Sequence, residues 1–381
     1  MIQPVTPATE VSASRENFHD AESTNEPIYG EAGPVRVLAA FDKFRHTATA
    51  AQLCGVVGDV AWERGWHFAA RPVADGGEGT LDVLAENGGQ RITTRVQGPL
   101  GETVHAEWLL RGTTAFIEMA RASGLPLVGG KDGNRALDAS TFGTGELCVA
   151  ALRHGAKKLV IGLGGSATTD GGLGALQAMA PLVQFRGVDL LVACDVETTF
   201  VDAARVFGPQ KGASSAQVEL LTRRLDQLAA VYERERGVDV RLVIGSGAAG
   251  GLAGALVSIG ARLRSGFSLV ADEVGLEEAM GDCNVVVTGE GFLDTESFNG
   301  KAVGGVVELA NRLGRPVVIV CGGREEHLVL PPKFEQTIRS VIVLSDRFGR
   351  DRSWNETLPC IRSLGVELLG PQFPPGTDQN Q

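Results

Sequence analysis

A glycine-rich stretch constrains the fold of this chain more than any other part of the sequence. Residues 162–174 read GLGGSATTDGGLG, and they join an apolar run typical of a buried strand to a run of helix-forming residues. Such a turn presents backbone N–H groups to an anion. On the glycines alone, a tight turn without a ligand is an equal alternative. The hydroxyls of Ser166 and Thr168 and the carboxylate of Asp170 favour a phosphate site.

Two common nucleotide-binding motifs fit this stretch poorly. A Walker A loop requires a lysine, and residues 162–174 contain none. The spacing of the first glycines has the form of the dinucleotide fingerprint, which also needs an acidic residue at the end of the next strand. Asp189 starts that strand, and Asp195 lies further along than the fingerprint asks. A nicotinamide-dependent oxidoreductase is therefore a weak alternative.

The composition is that of a soluble globular protein with an unusual number of glycines. A chain of 381 residues is long enough for two domains. The net charge of −11 gives no electrostatic support for nucleic-acid binding. The 51 glycines are about twice the usual share. They cluster in short loops beside Asp, Glu, Thr and Lys, as ligand-binding loops do.

The cysteines and histidines exclude several classes of protein. Six of each are scattered along the chain without a CxxC pair, which argues against a zinc site or a disulfide framework. No apolar run reaches membrane-spanning length, and the N-terminus has no signal-peptide core, so a cytoplasmic protein is predicted. Residues 1–34 lack apolar periodicity and are predicted to be disordered, and residues 371–381 to be frayed.

Strand–helix alternation at both ends of the chain predicts an open parallel sheet. The first strand is followed by Asp42 and Arg45, and the second by Asp75 and Glu78. Ligands of such sheets bind beyond the carboxyl ends of the strands. Arg45 would bind a carboxylate or phosphate, with a solvated ion pair as the alternative. Two acids among three glycines favour a metal or phosphate site over plain turn chemistry.

The middle of the chain has a different pattern. Residues 92–119 predict three antiparallel strands. Gly143 and Thr144 then lead into a helix predicted over residues 146–153, as a second candidate anion site. Asp195 follows another buried strand, where it is a candidate general base or, alternatively, a structural acid that caps a nearby helix.

Three further glycine loops carry charged residues. Lys211, Glu290 and Lys301 lie in the runs GPQKGA, TGEG and GKA. A fourth loop, residues 245–251, has no charged group, so tight helix packing and ligand contact are equal readings of it.

Taken together, these motifs resemble the bacterial glycerate kinases of the first structural type. The resemblance spans about residues 35–344, and its motifs occur in the same order. They are DKFR (42–45), ADGGEGT (74–80), FGTGEL (142–147), GGSATTDGG (164–172), ACDV (193–196), GPQKGA (208–213), TGEG with Asp294 (288–294) and GKA (300–302). Eight motifs in register are far more specific than one glycine loop.

The resemblance implies an α/β protein with two α/β domains. A Rossmann-like domain would be formed by both chain ends, residues 35–74 and 268–370. A mixed α/β domain, residues 75–267, would be inserted between them, with the active site in the cleft. The implied activity is ATP-dependent phosphorylation of D-glycerate, with the 2-hydroxyl as the expected acceptor. No nucleic-acid or membrane partner is expected, and a homodimer is left open.

The resemblance and the chemistry of phosphoryl transfer also suggest roles for the loop residues. ATP would be bound by Gly164, Gly165, Ser166, Thr168, Gly143, Thr144 and Lys301. Mg²⁺ would be held among Asp170, Asp75, Glu78 and Glu290. Asp195 would take the proton of the glycerate hydroxyl, Lys211 would offset phosphoryl charge, and Arg45 would bind the glycerate carboxylate.

Four positions and one segment depart from the family pattern. The usual lysine of the first motif is Arg45, and the usual glycine after it is His46. The usual asparagine before Asp170 is Thr169, the usual arginine after GEG is Phe292, and the stretch between Ala180 and Asp189 is shorter than in most members. These differences bear on substrate choice more than on reaction type. A kinase for another small hydroxy acid and a non-catalytic regulator that binds nucleotide or sugar acid are the alternatives.

Overall fold

Two β-sheets organise the computed structural model, which describes residues 35–369. The predictions for residues 1–34 and 371–381 lie outside this range. The strands are β1 (Arg36–Phe41), β2 (His67–Ala70), β3 (Gln90–Gln97), β4 (Thr103–Arg111), β5 (Thr114–Glu118), β6 (Lys158–Gly162), β7 (Asp189–Ala193), β8 (Arg262–Arg264), β9 (Val285–Leu293), β10 (Val317–Arg324) and β11 (Ile338–Val343). The α-helices are α1 (Ala50–Glu63), α2 (Thr80–Glu86), α3 (Ala120–Ser123), α4 (Phe142–Arg153), α5 (Leu173–Ala178), α6 (Ala203–Phe207), α7 (Ser215–Arg236), α8 (Leu252–Val257), α9 (Gly266–Val274), α10 (Leu276–Gly281), α11 (Ala302–Arg312), α12 (Leu344–Phe348), α13 (Arg350–Asn355) and α14 (Thr357–Leu364).

The five-stranded sheet is built from both ends of the chain. Its order is β11-β10-β9-β1-β2, and every neighbouring pair is parallel. Val37 in β1 lies beside Val285 in β9. Residues 37–41 of β1 and residues 285–287 at the start of β9 are buried apolar runs, as expected of a parallel sheet covered on both faces. This arrangement confirms the predicted α/β class.

The six-stranded sheet follows the order β3-β4-β5-β6-β7-β8. The first three strands form the predicted antiparallel meander, and β5 to β8 are parallel. Strand β8 was not predicted, because its three residues, Arg262–Arg264, alternate charged and apolar side chains over too short a length.

One apolar cluster joins the two sheets. It contains Leu38 of β1, Phe116 of β5, Phe267 of α9 and Val286 of β9, all buried. The described residues accordingly belong to one compact unit. The domain boundaries at residues 74/75 and 267/268 stay predictions.

Two local predictions were wrong. Helix α4 begins at Phe142, so the Thr/Gly run expected to precede a helix at 146 forms its first turns. Strand β9 continues to Leu293 through the GEG run that was expected to be a loop. A Cβ on Gly289 would collide with the carbonyl oxygen of Val320 in β10. Glycine inside this strand therefore marks a close backbone approach, not a turn.

No helix within residues 35–369 is long and apolar enough to cross a membrane.

Candidate active site

A cleft of about 530 Å³ lies where β2, β6, β7 and β9 are followed by loops. This is the edge where ligands bind in open parallel sheets. Among the residues that line it are seven of the predicted site residues: Asp75, Gly164, Gly165, Ser166, Asp195, Lys211 and Lys301. The cleft therefore brings together residues that are more than 200 positions apart in the sequence.

The glycine loop after β6 is fixed by backbone hydrogen bonds. The carbonyl of Gly165 accepts from the Leu125 N–H at 2.9 Å, and the Ala167 N–H donates to the Ser123 carbonyl at 3.0 Å. Gly165 has a φ of 73°, in the left-handed region that favours glycine. The loop is thus held in one shape along the wall of the cleft.

Lys211 is a buried cation at the same cleft. Its side chain is 2 % exposed, and its Nζ donates to the Thr168 carbonyl at 2.6 Å. The ring of Phe207 lies 5.9 Å from Nζ. Burial lowers the pKa of Lys211 to about 7, and the nearby Asp170 opposes that shift. A bound phosphate would place a negative charge near Lys211 and so favour its protonated form.

Thr168 contacts Lys211 through its backbone carbonyl and not through its hydroxyl. Its side chain is fully buried and its Oγ1 lies 3.5 Å from the Ala249 carbonyl, so the hydroxyl does not line the cleft. The hydroxyl that does line it is that of Ser166.

Asp195 lies two residues beyond β7, and its carboxylate is exposed to the cleft. Both of its oxygens accept from the Gly266 N–H, at 2.9 and 3.1 Å. Desolvation is the main cause that raises the pKa of Asp195, to about 6, and the charge of Asp75 adds to it. The geometry is compatible with both roles predicted for Asp195, because the carboxylate contacts the start of α9, as a helix cap would, and also faces the cleft, as a general base would.

Lys301 and Glu290 belong to the five-stranded side of the site. Lys301 is the residue before α11 and lines the cleft. Burial is the main cause that raises the pKa of Glu290, while Ser297 and Lys301 oppose the rise. Oε1 of Glu290 is buried and has no hydrogen-bond partner among residues 35–369. Such an atom is costly unless a ligand or cation satisfies it.

Asp42, at the end of β1, is part of the same electrostatic neighbourhood. Burial raises its pKa to about 7, and the charges of Asp75 and Glu290 act in the same direction. A cation near Asp42 and Glu290 would favour the ionised form of both carboxylates.

Arg45 and Glu78 lie on a different cavity. This second cavity, of about 650 Å³, is lined by the chain around the start of α1 and by α2. Glu78 pairs with Lys43 at 3.4 Å, and its side chain is 81 % exposed. The two predicted residues are therefore not brought together with Asp195 and Lys211.

Asp170 is hydrogen-bonded beside the start of α4, close to where an anion site was expected at Gly143 and Thr144. Its Oδ2 accepts from the N–H and the Oγ1 of Thr141, both at 2.8 Å, and from the Gly174 N–H at 3.2 Å. Its Oδ1 accepts from the Gly172 N–H at 3.0 Å. This carboxylate therefore joins the starts of α4 and α5 through four hydrogen bonds, three of them to Oδ2.

Gly143 and Thr144 have packing roles in the buried first turns of α4. The Thr144 hydroxyl hydrogen-bonds to Ser123 Oγ at 2.8 Å. A Cβ on Gly143 would collide with the Gln97 carbonyl of β3. Neither residue lines the cleft, so we leave both out of the site.

The predicted metal residues do not form a preformed cluster. Within residues 35–369, no group of three or more His, Cys, Asp or Glu side chains is arranged to hold a metal ion. Asp170 already accepts four hydrogen bonds and Glu78 lies on the second cavity. Asp75, which lines the cleft, and Glu290, whose pKa is affected by the charge of Asp75, are the stronger candidates.

Sequence reasoning missed part of the wall of the cleft. Ala248 and Ala249 line it, in the loop that was read equally as packing or ligand contact. Ala249 has a φ of 52°, unusual for a residue with a side chain. Gln210 and Asn299 also line the cleft, next to the two lysines. Their positions beside Lys211 and Lys301 were the available signal.

Comparison with known proteins decides the family. The model of the "Glycerate kinase family" matches residues 37–185 and 179–351. The chain belongs to the glycerate kinase family.

Relatives and one solved structure agree with this membership. The chain is 37 % identical over 330 residues to "Glycerate 2-kinase" of Escherichia coli K12, which covers 76 % of this chain and 85 % of the relative. It is 34 % identical over 354 residues to "Glycerate kinase" of Haemophilus influenzae, covering 83 % and 92 %. A crystal structure from Salmonella typhimurium LT2, assigned provisionally as glycerate kinase 2, has a TM-score of 0.75 and 31 % identity, covering 88 % and 98 %.

Membership in the glycerate kinase family makes this protein an enzyme, which removes the non-catalytic regulator from the alternatives. Asp75, Asp195, Lys211 and Lys301 all lie within the residues that match the family model. The cleft is therefore the candidate active site of a glycerate kinase family enzyme.

Proposed function

We propose that this protein transfers the γ-phosphoryl group of ATP to the 2-hydroxyl of D-glycerate, and that the cleft is where transfer occurs. The observation that carries the proposal is the convergence of Asp195, Lys211 and Lys301 with the glycine loop on one cleft. Phosphoryl transfer needs a phosphate cradle, positive charge and a group that positions the attacking hydroxyl. The cleft offers a candidate for each.

The glycine loop and the two lysines would act on the phosphates. Gly164, Gly165 and Ser166 offer backbone N–H groups and a hydroxyl along the wall of the cleft. Lys211 and Lys301 would offset the charge of the transferred phosphoryl group. Because the Nζ of Lys211 is held by the Thr168 carbonyl in a buried setting, its position is fixed before the phosphate arrives.

Asp195 would position the glycerate hydroxyl and accept its proton. A carboxylate with a pKa of about 6 is largely ionised at neutral pH, yet basic enough to take a proton in the transition state. The Gly266 N–H fixes its orientation. The binding of the glycerate carboxylate by Arg45 stays a prediction, since Arg45 lies on the second cavity.

Mg²⁺ fits the remaining carboxylates. This ion takes one or two protein carboxylates together with substrate phosphates, so a cluster of three is not required. Asp75, which lines the cleft, and Glu290, which does not line it but lies within electrostatic range of Asp75, would hold it. Oε1 of Glu290, which has no hydrogen-bond partner among residues 35–369, is the acceptor that a cation would satisfy. When bound, the ion supplies positive charge to the phosphate oxygens.

The test is a product assay. Purified protein would be incubated with ATP, Mg²⁺ and D-glycerate, and the product identified by ³¹P and ¹³C NMR, which separates 2-phosphoglycerate from 3-phosphoglycerate. L-Glycerate, glycolate and lactate would serve as competing acceptors. Faster turnover of one of these would make the protein a kinase for another hydroxy acid. Absence of product from all of them would refute the proposal. A cytoplasmic location and a homodimer stay predictions.

A further inference from the structure

The loop that carries Asp75 follows a strand of one sheet but is seated against elements of the other. Residues 71–79 connect β2, in the five-stranded sheet, to α2, and residues 75–79 are the part of this connection that carries Asp75. Asp75, Gly76 and Gly77 line the cleft. The contacts of this loop show what sets its position.

Three glycines receive the backbone of the loop. A Cβ on Gly162, the last residue of β6, would lie 2.5 Å from the Gly76 carbonyl oxygen. A Cβ on Gly164 would lie 2.8 Å from the Cα of Gly77. One on Gly266 would collide with the carbonyl of the first loop residue. The loop therefore rests directly on the end of β6 and the start of α9, with no room for side chains between them.

Glu118 fixes the far end of the loop. It is the last residue of β5, is 5 % exposed, and lies beside Gly162 in the sheet register. Its Oε1 accepts from the Leu81 N–H at 2.8 Å, and its Oε2 accepts from Arg121 Nε at 2.9 Å. The residue before α2 is Gly79, which makes no side-chain capping bond. Glu118 thus supplies the acceptor that a capping residue normally supplies.

A buried carboxylate needs partners of this kind, and Glu118 has no role in the chemistry described above. It does not line the cleft of Asp195 and Lys211. Its hydrogen bond from the Leu81 N–H instead joins the six-stranded sheet to the start of the helix that follows the Asp75 loop, while the bond from Arg121 Nε holds the second carboxylate oxygen in place.

We propose that Glu118 is a positioning residue for phosphoryl transfer: by accepting the Leu81 N–H, it holds the 75–79 loop on the glycines of β6 and α9 and so sets the place of Asp75 in the cleft. The inference rests on the proposed function, because its main readout is the rate of that reaction. It implies that Asp75 keeps its position relative to Asp195 and Lys211.

The test compares substitutions of Glu118 with a matched control. Glu118→Leu removes the acceptor, and kcat for glycerate should fall at least tenfold while the Kd for ATP changes less than threefold. Glu118→Gln keeps Oε1 as an acceptor and should restore at least half of kcat. The control is Glu146→Leu, since Oε2 of Glu146 accepts the Gln97 N–H at 2.6 Å, in another part of the same sheet and away from the cleft. It should lower the unfolding midpoint by a similar amount with kcat within twofold of the parent.

A direct readout follows the loop itself. Amide exchange measured by NMR should be faster at Leu81 in Glu118→Leu and unchanged in Glu146→Leu. If Glu118→Leu does not fold, Glu118→Asp replaces it, because the shorter side chain withdraws the acceptor from Leu81. Equal kcat losses in the Glu118 and Glu146 variants, or unchanged Leu81 exchange, would overturn the inference. A parent enzyme without glycerate kinase activity would instead refute the proposed function.

Discussion

Replacement of Asp195 by asparagine separates the two readings of this residue. The amide keeps the shape of the side chain and, through Oδ1, an acceptor for the Gly266 N–H at 2.9 Å. It removes the charge that would accept the proton of glycerate. General-base contributions are about 10²–10⁴-fold, so kcat should fall by roughly that factor. The Kd for ATP should change only a few-fold, because the glycine loop and both lysines remain.

The pKa of Asp195 also predicts how kcat/KM changes with pH. With a pKa of about 6, Asp195 is almost fully ionised at pH 7.5 and about one-tenth ionised at pH 5. The kcat/KM of the parent enzyme should therefore fall about tenfold between these pH values, and this acidic limb should be absent in Asp195→Asn.

The ionised form of Asp195 is expected to destabilise the fold, whereas a charge that caps a helix would stabilise it. Folding raises the pKa of Asp195 above its ordinary value of 3.8, so this group lowers the free energy of unfolding as the pH rises from about 4 to 6. At pH 8, Asp195→Asn should consequently unfold at the same temperature as the parent or higher. A cap that depends on its charge would make the variant less stable.

The assay is steady-state kinetics from pH 5 to 9 with calorimetric unfolding of each variant. Glu197→Gln is the control, since this exposed carboxylate follows Asp195 by two positions, and its kcat should stay within twofold. Retention of half of kcat by folded Asp195→Asn, or an unchanged acidic limb, would refute the reasoning.

Three further predictions follow from the site. Lys211 has a pKa of about 7 and should bind up to about one proton when MgATP binds at pH 8; calorimetry in buffers of different ionisation enthalpy should show this uptake, and Lys211→Met should lose it. Asp170→Asn should lower the free energy of unfolding by about 1–3 kcal/mol in urea titrations, because an NH₂ group would face donors from Thr141 or the loop, whereas kcat should fall less than tenfold. Excess chelator should abolish turnover, added Mg²⁺ should restore it, and Asp75→Asn should raise the Mg²⁺ concentration for half-maximal rate; full activity in chelator would contradict the assignment.

Much of this fold could be predicted from local patterns. Apolar runs located β1, β6, β7 and β9, and the position of Asp195 after a buried strand correctly indicated a residue at the cleft. These predictions succeeded because strand ends in a parallel sheet meet at one edge, whatever the intervening sequence.

Other features depend on contacts that no local pattern records. The sequence predicts Asp170 as a metal ligand, and the structure shows that it also accepts hydrogen bonds from Thr141, which lies 29 positions upstream. Its role toward a metal stays a prediction. Gly289 was predicted to lie in a loop because glycine is common in turns. The reason for glycine there is the backbone of β10, which leaves no room for a side chain and is more than 25 positions away in the sequence. Arg45 was placed by strand order alone, which does not tell on which side of the 75–79 loop a side chain lies.

The pairing of β1 with β9 has a consequence for synthesis on the ribosome. Ala40 and Thr288, which are hydrogen-bonded across these strands, are separated by 248 positions. At about 5–20 residues per second, β1 emerges roughly 12–50 s before its partner. During that interval β3 to β8 become available and can pair, since each lies beside a neighbour that is already made. During this time β1 has one edge without its partner strand. An unpaired edge of an apolar strand can pair with another chain, so β1 is the segment of the nascent protein most in need of protection from aggregation.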